Sequence, residues 1–281
     1  MSVQAGIGDS PNYLARFFTV VRLAGTQLVR SPSHSGRAEA ARRSARYGLL
    51  LTATVGAVII ALMYALDARE IVLMPARGTA SLWPVRILTD FGKDAYALSA
   101  LAGALLVIAI IVPRLPRASR DLLLSFATRL QFLFFAVLVP VLAGEAIKWI
   151  AGRGRPFVGG KANAFNFAPF NGTDAYASFP SSHAITAFAL AFAVSALWPR
   201  ARLPMIGYAV LIAISRLVLL AHHPSDVVAG ALIGVIGAMV VRYWFAARRL
   251  AFTIRRDGAM VPLAGPSPGR LKRVARKPSA P

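Results

Sequence analysis

Cysteine is absent from the 281 residues, which excludes disulfide staples, thiolate nucleophiles and thiolate zinc sites. Acid is scarce as well: 11 Asp and Glu stand against 32 Lys and Arg, a net charge of +21. Charged residues of both signs make up only 15% of the chain, whereas 57% is hydrophobic and the mean hydropathy is +0.59. A positive balance of that size in a soluble protein would point to nucleic acid. The long uncharged stretches argue against such a partner, and they exclude disorder for everything but the two ends. The bulk of the chain is built for lipid.

Runs of about 18 or more residues with few charges mark membrane spans. Six are legible: Tyr47 to Leu66, Ala95 to Val112, Leu130 to Ile147, Ser182 to Trp198, Leu203 to Ala221 and Val227 to Ala247. Pro140 is a candidate kink in the third. Because a charge inside the bilayer costs roughly 2.5 to 3.5 kcal/mol on insertion scales, Glu145, Lys148 and Arg216 stand out as charges that either sit near an interface or have a task.

Orientation follows from Lys and Arg. With the N-terminus in the cytoplasm, 23 basic residues fall inside, and nine fall outside or at the outer borders: Arg69, Arg77, Arg86, Lys93, Lys148, Arg153, Arg155, Lys161 and Arg216. The positive-inside rule favours that topology and returns the C-terminus to the cytoplasm. The organisation expected is a basic cytoplasmic arm over 1–46, a six-helix membrane domain over 47–247, and a basic disordered tail over 248–281. Residues 12–30 have the make-up of a basic amphipathic helix for the inner membrane surface. The first residues lack the basic start and apolar run of a cleavable signal.

Three segments then meet at the outer face. The third span ends in Lys148, six residues, then Arg155-Pro156; the fourth begins Pro180-Ser181-Ser182-His183; between the fifth and sixth lie Ser215-Arg216, five residues, His222, three residues and Asp226. Lys148, Arg155 and Arg216 are three cations beside a low-dielectric medium without an equal number of acids, so an anion is the missing partner. Arginine offers a planar fork that matches phosphate oxygens and lysine a point charge. A helix start at Ser181 to His183 adds free backbone N–H groups and a favourable dipole. Together they form a phosphate cradle.

His222 and Asp226 stand four residues apart, with Pro224 in a first helical turn. On a helix that spacing lets the aspartate hold one ring nitrogen and leaves the other free to attack. His183 can protonate the departing oxygen and later activate water. Arg153, two residues before Arg155, reads as an accessory charge or headgroup contact, and His223 as a neighbour outside the motif. Between Phe157 and Phe179, Phe165, Phe167, Phe170 and Tyr176 read equally well as a lid over the site and as an interfacial aromatic belt.

These motifs resemble the three signatures of the type 2 phosphatidic acid phosphatase superfamily, over about Lys148 to Asp226. The resemblance implies an all-α integral-membrane six-helix bundle with its active site at the periplasmic ends of helices three to six. It implies His222 as a nucleophile forming a phosphohistidine, Asp226 as its orienting partner and His183 as general acid. Lys148, Arg155, Ser181, Ser182 and Arg216 would bind phosphate oxygens, with no metal or other cofactor. One departure is Ser182 where the family commonly has glycine; the backbone N–H survives that change. The function implied is hydrolysis of a lipid phosphate at the outer face of a bacterial inner membrane, the lipid being of the undecaprenyl pyrophosphate, phosphatidylglycerol phosphate, phosphatidic acid or lipid A type. Lipid-to-lipid phosphotransfer and a non-catalytic anion transporter are the alternatives.

Overall fold

The computed structural model describes residues 12–265 apart from 77, 157 and 161. Arg77 and Lys161 of the outer basic set, Phe157, the first eleven residues and the tail beyond 265 thus lie outside the described residues.

Helices dominate, as the apolar runs dictate. In chain order they are α1 (Tyr13–Val29), α2 (Arg37–Ala65), α3 (Asp67–Leu73), α4 (Trp83–Asp90), α5 (Asp94–Ile111), α6 (Arg117–Ala151), α7 (Ser182–Leu197), α8 (Arg202–Val218) and α9 (Pro224–Ala247). Five helical stretches are long and apolar enough to cross a membrane: Arg37–Ala65, Ala80–Arg114, Arg117–Ala151, Pro199–Val218 and Pro224–Ala247. The fourth expected span, α7, has 16 residues, about 24 Å of helix, which is short of a hydrocarbon core of about 30 Å. Leu49, Leu50, Val58 and Ile60 of α2 are exposed, as suits a helix whose solvent is lipid. Alone, such exposure would be costly in water.

The chain divides into two compact units. One holds the residues up to Ala41, Ala100–Phe134 and those from Arg242 on. Its aromatic centre is Phe132, whose ring meets Phe245 at 5.5 Å and Phe252 at 4.8 Å, both edge-to-face. The amphipathic reading of 12–30 matches α1, which buries Val20 against Val112 and leaves Leu14, Phe18 and Val21 exposed. The tail does not follow expectation throughout. β1 (Phe252–Ile254) pairs antiparallel with β2 (Met260–Pro262), and the Ile254 N–H donates to His34 Nε2 at 3.1 Å. Burial of Phe252 and Ile254 supplies the apolar contact that composition alone does not show.

The other unit, Arg42–Ser99 with Phe135–Val241, carries the three motifs. Here α7 and α8 share a core of Ala187, Ala191, Ala209 and Ile212, joined by Leu88, Met205 and Tyr208. Helices α7 and α9 approach closely because α9 presents Gly230 and Gly234: a Cβ at Gly230 would sit 2.5 Å from the Ser181 carbonyl oxygen, and one at Gly234 would collide with that of Ile185. Small residues permit such contact in membrane helices. The consequence is that the second and third motifs share one end of the unit, tied by the Ser181 N–H donating to the Asp226 carbonyl at 3.1 Å.

Candidate active site

Each expected site residue sits at a helix end or in the segment beside one. Lys148 lies in the last turn of α6; its Nζ donates to Ser182 Oγ and to Glu145 Oε1, both at 2.5 Å. Ser182 Oγ in turn donates to Glu145 at 2.8 Å. Glu145, conspicuous in the sequence as an acid near the end of a span, thus aims the lysine at the start of α7. Ser181 is the N-cap of that helix and its side chain accepts from the Ala184 N–H, the usual role of serine at that position. His183, in the first turn, keeps Nε2 buried with no hydrogen-bond partner among the described residues. Arg216 lies in the last turn of α8, and its Nη1 donates to Thr89 Oγ1 of α4 at 2.7 Å. Arg155 Nε donates to the Asp174 carbonyl at 2.8 Å.

His222 is 3% exposed. Its Nδ1 lies 2.7 Å from the carbonyl oxygen of Ser178. A carbonyl can only accept, so Nδ1 carries the proton and Nε2 keeps its lone pair. Burial, with the positive charges of Arg216 and Arg155 next in weight, pushes the His222 pKa well below the ordinary imidazole value. A neutral ring with a free Nε2 is the form a nucleophile needs. Arg155 of the first motif, His183 of the second and Arg216 of the third therefore act on the same imidazole, which brings the three segments together.

Asp226 is placed differently from what its spacing suggests. His222 precedes α9, which begins at Pro224, so the four-residue interval is not a helical turn. The carboxylate accepts from Arg153 Nη1 at 2.6 Å, from Ser178 Oγ at 2.5 Å and from the His223 N–H at 2.9 Å. It grips the backbone next to His222 and the residue whose carbonyl orients the ring.

Arg153 is the residue most changed by the structure. Instead of reaching for headgroups it is wholly buried and bridges two carboxylates, Asp226 on Nη1 and Asp67 on Nη2 at 2.8 Å. It also donates to Ser225 Oγ and the Ala164 carbonyl. Asp67, at the start of α3, accepts from the Ser225 N–H and hydroxyl. His223 Nδ1 faces the Asp67 carbonyl at 3.3 Å. Sequence spacing could not reveal Asp67, Thr89 or Ser178, whose side-chain and ring partners are 44 to 158 positions away.

The 152–179 segment folds back on the first motif through backbone bonds, among them Gly154 N–H to Asn166 O, Arg155 N–H to Ala175 O and Ser178 N–H to Arg153 O. Its aromatics are anchored, Phe165 against Tyr64 at 5.1 Å and Phe170 against Trp149 at 4.7 Å. Among the described residues no group of three or more His, Asp or Glu is placed to hold a metal ion.

The PAP2 superfamily profile matches residues 129–250, a stretch that contains all three motifs. Two relatives named lipid A 1-phosphatase, from Rhizobium johnstonii and Rhizobium etli, are each 31% identical to the chain, over 226 and 181 residues. Those alignments cover 76% and 61% of this chain, and 86% and 75% of the relatives. No solved structure matches the chain significantly. Matches of this extent, on a chain whose helices are long and apolar enough for several spans, define the class as a membrane phosphatase. The chain belongs to the PAP2 superfamily.

Proposed function

We propose that the protein removes phosphate from a membrane lipid by way of a phosphohistidine on His222, with lipid A or a similar phosphorylated glycolipid as the first substrate to test. The observation that carries the mechanism is the His222 imidazole, buried and neutral, with Nδ1 on the Ser178 carbonyl and the charges of Arg216 and Arg155 acting on it. The lipid is chosen because both relatives carry the name lipid A 1-phosphatase.

In the first step Nε2 of His222 donates its lone pair to phosphorus, and the bond from phosphorus to the lipid oxygen breaks. His183 gives that oxygen a proton, which makes the lipid alcohol a neutral leaving group. Lys148, Arg155 and Arg216, with Ser181 and the backbone N–H of Ser182, neutralise the equatorial oxygens as charge spreads over them. In the second step His183 takes a proton from water, the resulting hydroxide attacks phosphorus, the N–P bond breaks, and inorganic phosphate leaves. Uncatalysed monoester hydrolysis is so slow that enzymes accelerate it up to roughly 10²¹-fold, which accounts for three cations around one phosphorus. Lys and Arg counts support a site that faces the periplasm from an inner membrane.

The test is phosphate release in detergent from a panel comprising lipid A, phosphatidic acid, phosphatidylglycerol phosphate and undecaprenyl pyrophosphate, with His222→Ala as the blank. Release by the wild type from lipid A above the other lipids, and none by the variant, is the expected result. A folded His222→Ala protein with wild-type turnover would overturn the mechanism.

A further inference from the structure

Asp226 lies too deep in its own network to be a simple partner for the nucleophile. Arg153, Asp67 and Asp226 are all without solvent exposure, and the guanidinium is bonded to both carboxylates. A buried pair is weak evidence for stability, since desolvation offsets much of the attraction, so its presence calls for a geometric reason. Ser178 supplies it. The Ser178 N–H donates to the Arg153 carbonyl, its hydroxyl donates to Asp226 Oδ2, and its carbonyl accepts from His222 Nδ1. At the residue after His222, the His223 N–H donates to the same Oδ2. Both flanks of His222 are therefore referred to one carboxylate, whose position is set by Arg153. Arg153 is held in turn by Asp67, which lies outside the stretch matched by the family profile.

We propose that Asp67, Arg153 and Ser178 are positioning residues: with Asp226 they form a buried relay that fixes the rotation and tautomer of His222 so that Nε2 lies in line with phosphorus. The inference rests on His222 being the nucleophile. Asp67 acts on the reaction through Arg153 and Asp226, and Ser178 presents the carbonyl that sets the tautomer. None of the three touches phosphate.

Vanadate and inorganic phosphate separate positioning from plain structural support. Vanadate takes the five-coordinate geometry of the transition state when an in-line nitrogen completes it, and analogues of that kind bind far more tightly than ground-state ligands. Phosphate needs only the cradle. Both affinities are measured by calorimetry on the full chain in detergent, beside kcat and KM for lipid A. Asp67→Asn is expected to weaken vanadate and lower kcat by about 100-fold, the effect of misplacing a reacting group by about 1 Å. Ser178→Ala, which deletes one hydroxyl and keeps both ion pairs, is expected to cost about tenfold in each. Phosphate affinity and KM stay near wild type in both. If Asp67→Asn does not fold, Ser178→Ala decides alone.

The proposal is overturned if folded Ser178→Ala keeps wild-type vanadate affinity and kcat, or if vanadate and phosphate weaken in parallel. Failure of the underlying reading looks different. Wild-type protein would then bind vanadate no better than phosphate, or His222→Ala would bind it as well as wild type.

Discussion

At the scale of residues, the buried network carries one acid more than its charge can balance. Arg153 faces two carboxylates, Asp67 and Asp226, and Glu70 is buried close by with neither carboxyl oxygen hydrogen-bonded among the described residues. Burial, then the negative charges of Asp67 and Asp226, push the Glu70 pKa up to about 8. Glu70 is therefore protonated at neutral pH, which spares the network a third negative charge. Its native pKa lies above the unfolded one, so between the two values the native state binds more protons. Stability is then greatest below the ordinary carboxyl range, falls as pH rises, and levels off beyond about 8. Glu70→Gln removes this loss. In thermal unfolding from about pH 5 to 9, the advantage of the variant over wild type should widen with pH. A gap that is constant or shrinks would show that Glu70 is ionised in the native protein.

At the scale of elements, the meeting of α7 and α9 sets the distance between the second and third motifs, and a single methyl group is enough to probe it. Gly230→Ala would place its Cβ 2.5 Å from the Ser181 carbonyl and 3.0 Å from the Ala184 Cβ. The N-cap of α7 and the residues after it would have to shift. Overpacking of this kind costs about 1 to 3 kcal/mol, and phosphate release should fall with it. Gly207→Ala on α8, where nothing lies within 4 Å of the new Cβ, should leave activity unchanged and should not lower the melting temperature, since alanine favours a helix interior over glycine. Equal behaviour of the two variants would refute close packing of α7 on α9.

What could be read from the sequence divides along the same lines. Apolar runs locate the long helices to within a turn at most ends, as at 95–112 against Asp94–Ile111, because lipid rewards unbroken hydrophobicity. The site motifs are legible because each is local and bears rare charges in an apolar context. Short α3 and α4, of 7 and 8 residues, give no comparable periodic signal. Their contributions, Asp67 and Thr89, act across 86 and 127 positions. Helical spacing pairs Asp226 with His222, but α9 starts at Pro224, which removes the helix that this pairing needs.

For the molecule as a whole, the positive charge has a stronger asymmetry than the count of 23 against nine conveys. Four of the nine outer basic residues, Lys148, Arg153, Arg155 and Arg216, are held in the site by acids, hydroxyls and carbonyls. Lys93 is paired with Asp90 at 2.8 Å. On the proposed function those charges serve the phosphate and the network behind it, and the remainder then weighs still more heavily toward a cytoplasmic N-terminus and C-terminus. The absence of cysteine makes the topology directly measurable, because a single introduced thiol reacts with maleimide against no background. Ala162 and Arg256 are both exposed, one in the segment between α6 and α7, the other in the turn between β1 and β2. In sealed right-side-out vesicles, a membrane-impermeant maleimide should label Ala162→Cys at once and Arg256→Cys only after detergent is added. The reverse pattern would put the phosphate site on the cytoplasmic face. It would then require a lipid substrate presented in the inner leaflet, before any transfer across the membrane.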